Sequence, residues 1–73
     1  VKIDEIKFWH IYSNKRGHYR QVLSIGHNQT NERFVLVTDG CDGDHGSIYW
    51  SKREPKWMLL KQFAHWAKLD ISI

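Results

Sequence analysis

The apolar period of this chain changes once, at Lys52-Arg-Glu-Pro55, and that change limits the folds open to it. Before it, apolar residues come in short runs rich in aromatic and β-branched side chains, as strands do. After it, Leu59, Leu60, Phe63, Trp66 and Ala67 recur at helical spacing. Lys61, His65 and Lys68 fall at i, i+4 and i+7 on another face, so KWMLLKQFAHWAKL reads as an amphipathic helix, with Pro55 suited to its first turn.

Four segments ahead of the change read as strands: Ile6–Tyr12, His18–Gly26, Arg33–Thr38 and Ser47–Ser51. SNKRG closes the first pair and HNQTNE the second, each with the residues turns need. The predicted fold class is mainly β: a small, strongly bent antiparallel sheet or partly open barrel closed by a C-terminal helix. No repeat, low-complexity stretch or linker divides residues 1–73, which read as a single domain. Alternation predicts that Phe8, Leu23, Ile25, Phe34, Leu36, Ile48 and Trp50 point inward, with Trp9, Ile11, Val35, Val37 and Tyr49 on a second face that the helix covers.

A chain of 73 residues has one small core, burying roughly 60% of the surface its unfolded form exposes. Its one cysteine, Cys41, rules out an internal disulfide and suits a reducing compartment, so the expected location is cytoplasmic. Neither a signal-type apolar run nor a membrane span of about 20 residues is present.

The stretch Asp39-Gly-Cys-Asp-Gly-Asp-His-Gly46 looks most like chemistry. A calcium loop started at Asp42 places Gly46 fifth and Arg53 twelfth, and one started at Asp39 places Trp50 twelfth, so both registers fail. Cys41 and His45 are too few for a structural zinc site. The reading is a glycine-rich turn between strands three and four, with Gly40, Gly43 and Gly46 supplying positive φ. Nucleophile elbow and phosphate loop are both lacking, and the five histidines fall in five separate segments. No catalytic residue, metal or cofactor is assigned.

Aromatic and basic residues exceed what one thin core needs: four Trp, three Tyr and three Phe, with a net charge of +3. Residues 39–46 carry three acids and no base, so the field elsewhere is more positive than that total. Basic residues interleave with aromatics in KRGHYR and YWSKREPKW. Base stacking beside phosphate-neutralising cations is how small β folds hold nucleic acid or nucleotides. The candidate ligand-binding residues are Arg16, Arg20, Lys52, Arg53 and Lys56 on phosphates, with Trp9, Tyr19 and Trp50 as stacking platforms. The alternative is a protein-interaction module, either a homodimer or an inhibitor of a host protein, working through the outward aromatics.

The run FWHIYSNKRGHYRQVLSIGHNQTNERFVLV resembles a family of short domains of unknown function in bacteria and phages. That family reads W/Y-R-H-x-K-G-x-x-Y-x-V, then an I-A-x-H-x-E-T-x-E-like turn and a V-V-Y-like strand. Trp9, His10, Gly17, Tyr19, Val22, Ile25, His27, Thr30, Glu32, Val35 and Val37 match in order, with Trp50, Arg53 and Phe63 as looser matches. Ile11 replaces a polar position, and DGCDGDHG is unlike the family's usual connection. The resemblance implies an SH3-like β barrel and brings no established activity.

Overall fold

The computed structural model describes residues 1–72. It is mainly β, an open antiparallel sheet of six strands with one helix packed on one side. The strands are β1 (Ile11–Ser13), β2 (His18–His27), β3 (Arg33–Asp42), β4 (Ile48–Trp50), β5 (Lys56–Leu59) and β6 (Leu69–Asp70), and helix α1 spans Leu60–Trp66. The order across the sheet is β4-β3-β2-β1-β6, with β5 continuing beside β3 on the same edge as β4.

Turn chemistry fixes the hairpins. In the β1–β2 turn Asn14 Oδ1 accepts from the backbone N–H of Arg16 and His18, while Lys15 and Gly17 take positive φ. Between β2 and β3, Asn28 Oδ1 accepts from the N–H of Thr30 and Glu32, and Asn31 supplies the left-handed residue. An irregularity between Val22 and Ser24 leaves Leu23 as the extra residue of a bulge, which bends the long β2–β3 ribbon.

Because directly paired residues share a face, the register sorts the side chains. Val22, Val35, Val37 and Tyr12 of the sheet are fully buried, as are Phe63 of the helix and Ala67 at its end. Tyr12 and Phe63 meet edge to face at 5.4 Å, the arrangement their ring quadrupoles favour. The helix covers the Val35–Val37 face, as expected, but that face holds the whole core, and the face expected to point inward is the bare one. Val35 and Val37 form the core, whereas Phe34, Leu36 and Leu23 are only half-buried, and Phe8, Ile25 and Trp50 are exposed. Alternation cannot say whether one face of the sheet will be covered or both. Val22, Val35 and Val37 pack with Leu60 and Phe63 in one core cluster.

Several boundaries also moved. The first strand begins at Ile11, not Ile6: Trp9 has φ 74, and the Tyr12 hydroxyl accepts from Lys7 N–H and donates to the Glu5 carbonyl, folding residues 5–10 back over it. Lys56–Leu59 is strand, not the first turns of the helix. No side chain caps α1 at Leu59, consistent with a helix entered directly from a paired strand. The short β6 closes on β1, pairing Asp70 with Tyr12, and Asp70 Oδ2 meets His10 Nδ1 at 2.7 Å.

β3 runs on through Asp42, so half of the expected acidic turn is strand. The turn proper is a 3-10 segment, Asp44–Gly46, with His45 and Gly46 at positive φ. Of the three glycines expected there, only Gly46 uses that freedom. Gly40 is needed for space: a β-carbon there would lie 2.8 Å from both the Ile48 and Trp50 side chains.

Candidate functional site

The sheet has one covered face and one bare one. The shortest extent of the chain, 17 Å, has room for the sheet and one helix layer. On the bare face lie the cross-strand rows Ser24–Leu36–Trp57, Gly26–Phe34–Leu59 and Tyr19–Gly40–Trp50. Trp57 keeps 54% of its surface exposed. Its ring reaches diagonally over Gly26, 3.8 Å from where a β-carbon would stand, and with His27, Asn28 and Phe34 the two line an open depression of about 330 Å³.

The expected ligand residues do not gather. Tyr19 and Trp50 belong to the bare face, while Arg20 and Lys56 lie one residue out of phase, on the helix side. Arg16 is in the β1–β2 turn, Lys52 and Arg53 are in the exposed 51–55 connection, and Trp9 stands ahead of β1, ring to ring with Phe8 at 5.6 Å. Strand alternation divides what sequence proximity had grouped.

Two of the five cations are engaged internally. Arg20 Nε donates to Asp39 Oδ1 at 2.8 Å, its guanidinium carbon sits 4.4 Å from the centre of the Trp66 ring, and Lys56 Nζ is 3.4 Å from the other Asp39 oxygen. Burial pushes the Asp39 carboxyl up, but the hydrogen bond and charge of Arg20, helped by Lys56, outweigh it and hold the group below its ordinary value. The Tyr19 hydroxyl donates to Asp42 Oδ1 at 2.6 Å, which raises its pKa because ionisation would break that bond beside a carboxylate. Of the two carboxylates, Asp42 shares the bare face with Tyr19 and Trp50, and Asp39 lies with Arg20 on the helix side.

On the helix side His18 and Cys41 face each other across β2 and β3, with Tyr49 next in the row, around a shallow depression of about 300 Å³. Among the described residues no carboxylate is hydrogen-bonded to either, and no group of three His, Cys, Asp or Glu is placed to hold a metal ion. No helix among them is long and apolar enough to cross a membrane.

Trp57 is the residue that sequence reasoning missed. The helical reading of KWMLLKQFAHWAKL takes it in, although Lys56-Trp-Met-Leu59 follows a proline and no capping residue precedes Leu60. That missing cap was the available signal. Comparison of the chain with protein-family models, curated proteins and solved structures finds no match.

Proposed function

We propose that the chain is a non-catalytic protein-interaction module whose contact surface is the bare face of the sheet. The observation that carries this reading is the exposure of Trp57 among half-buried Phe34, Leu36 and Leu59, a continuous apolar strip over which the described residues place no layer. Solvent-facing aromatic surface of this kind lowers its free energy by docking against another apolar surface.

Recognition of nucleic acid or a nucleotide is the second reading. It is favoured by the net charge of +3 and by Arg16, Lys52 and Arg53, none of which has an ion-pair partner among the described residues. Against it stand the engagement of Arg20 and Lys56 by Asp39 and of Tyr19 by Asp42.

The test compares cross-linked capture by the parent chain and by Trp57→Ser, alongside titration with labelled single-stranded oligonucleotides and nucleotides at low salt. The reading expects a polypeptide, whether another protein or the chain itself, to be captured by the parent and lost by the variant, with no oligonucleotide binding. Oligonucleotide binding whose log affinity falls with log salt at about −0.7 per phosphate, and which Lys52→Ala and Arg53→Ala make shallower, would replace it with the second.

A further inference from the structure

The occupied edge of β2 ends abruptly. β1 pairs with Tyr19, Arg20 and Gln21, and the chain ahead of β1 adds one more step, with Trp9 N–H donating to the Val22 carbonyl and Val22 N–H to the His10 carbonyl. Beyond Val22 the chain turns away through Phe8 and Trp9. Ser24–His27 remains paired with β3 on one side, and on the other neither these residues nor the bulged Leu23 meet a strand of the described residues.

The backbone groups facing that vacancy follow from the alternation of an antiparallel ladder. Val22 points its N–H and C=O away from β3, while Asn28 N–H donates to Glu32, back toward the β3 side. Counting between these two fixed points, with the bulge at Leu23 taken into account, Ser24 and Gly26 bond to β3, and Ile25 and His27 present their N–H and C=O groups outward. No loop or side-chain hydrogen bond of the described residues reaches those four groups.

Apart from the bulge at Leu23, this edge lacks the devices that keep strands apart. Leu23-Ser-Ile-Gly-His27 contains no proline, lysine, arginine or acid, and Ile25 is 41% exposed. The opposite edge differs, because Lys52, Arg53, Glu54, Pro55 and Lys56 interrupt or flank its strands.

We propose that a second copy of this chain pairs its own Leu23–His27 edge antiparallel against this one, about a two-fold axis at Gly26, joining two open sheets into one. In that register Ile25 stands opposite His27 of the second copy and His27 opposite its Ile25. The residues with outward backbone groups therefore meet each other, giving four N–H to C=O bonds with no donor or acceptor misplaced. A two-fold interface needs this self-complementarity.

Two further features bound the fit. Five residues of open edge accommodate the second copy's strand up to Asn28, where its hairpin turns away, and Phe8 and Trp9 block further slippage. Gly26 lies under the Trp57 ring, so the two-fold axis brings both bare faces side by side as one aromatic strip. Ile25, Phe8, Trp9 and Trp57 are 41, 62, 58 and 54% exposed. Their free surface is roughly half of the ~800 Å² that each partner of a standard interface buries, and the edge backbone with its flanks supplies the rest.

The inference rests on the reading of the chain as a protein-interaction module and names its partner. Sedimentation equilibrium of the parent chain over a wide concentration range, combined with amide hydrogen exchange, tests it. The expected result is a monomer–dimer equilibrium in which the Ile25 and His27 amides exchange roughly tenfold more slowly in concentrated than in dilute samples, while Ser24 and Gly26 are protected in both. Ile25→Pro, which removes a donor the fold does not use, and Ile25→Lys should each yield monomer. If Ile25→Pro does not fold, Ile25→Lys and the exchange pattern decide. A dimer that survives in the folded variants overturns the edge. A parent that is monomeric throughout, or whose two amides are protected only by an added peptide of another protein, overturns the second copy. In both of those cases the broader reading is judged separately, by the Trp57-dependent capture of another protein.

Discussion

Arg20 is held between Trp66 and Asp39, its guanidinium carbon 4.4 Å from the ring centre and its Nε 2.8 Å from the carboxylate. It joins the end of α1 to the sheet. A lysine keeps the charge but loses the planar stack and the directed N–H. Arg20→Lys should therefore cost about 1–2 kcal/mol in urea denaturation, and a variant as stable as the parent would mean that the stack contributes nothing.

The same pair gives a pH dependence. The Asp39 carboxyl is held below its ordinary value of 3.8, so folding favours its charged form. Its stabilisation is complete above that value and is lost as pH falls through the lower folded-state pKa. The melting temperature should decline below about pH 4, by less in Asp39→Asn, and by less in high salt because the carboxylate is half exposed.

Phe63 is fully buried, edge to face with Tyr12 at 5.4 Å and with Trp66 5.7 Å away. Phe63→Ala should cost about 3–5 kcal/mol, enough to unfold much of so small a domain at room temperature. Far-ultraviolet circular dichroism against temperature will show it, and a melt unchanged from the parent would contradict the helix-on-sheet core.

Gly40 is buried between β2 and β4 with no room for a β-carbon beside Ile48 and Trp50. Gly40→Ala should push both side chains aside, loosen β4 and cost about 1–3 kcal/mol. Gly46→Ala, where the obstacle is backbone φ and not space, should cost less, roughly 1 kcal/mol. Thermal melts of the pair distinguish the two mechanisms.

Much of the β-rich part was legible. The β2–β3 hairpin followed from β-branched runs and from turn residues whose side chains bond their own backbone, all local effects. Local information failed at Lys56–Leu59, whose apolar residues suit a helix or a strand and became strand because half of the β3 edge lay open to them. It failed again at Asp39–Asp42, where pairing with β2 and β4 overrode turn propensity.

The candidate site was less legible for a physical reason. Sequence placed Tyr19 beside Arg20, but a strand sends neighbours to opposite faces, and only the position of α1 decided which face was bare. Composition determined that the chain carries more aromatic surface than one thin core can hide, and the amphipathic C-terminal period determined that a helix would cover one face. Which residues that helix left exposed, which cations Asp39 engaged, and where β1 left the β2 edge vacant depend on contacts between residues far apart in the chain. Those were decided by the tertiary structure alone, because packing one helix on one face is a choice that the alternation of side chains leaves open.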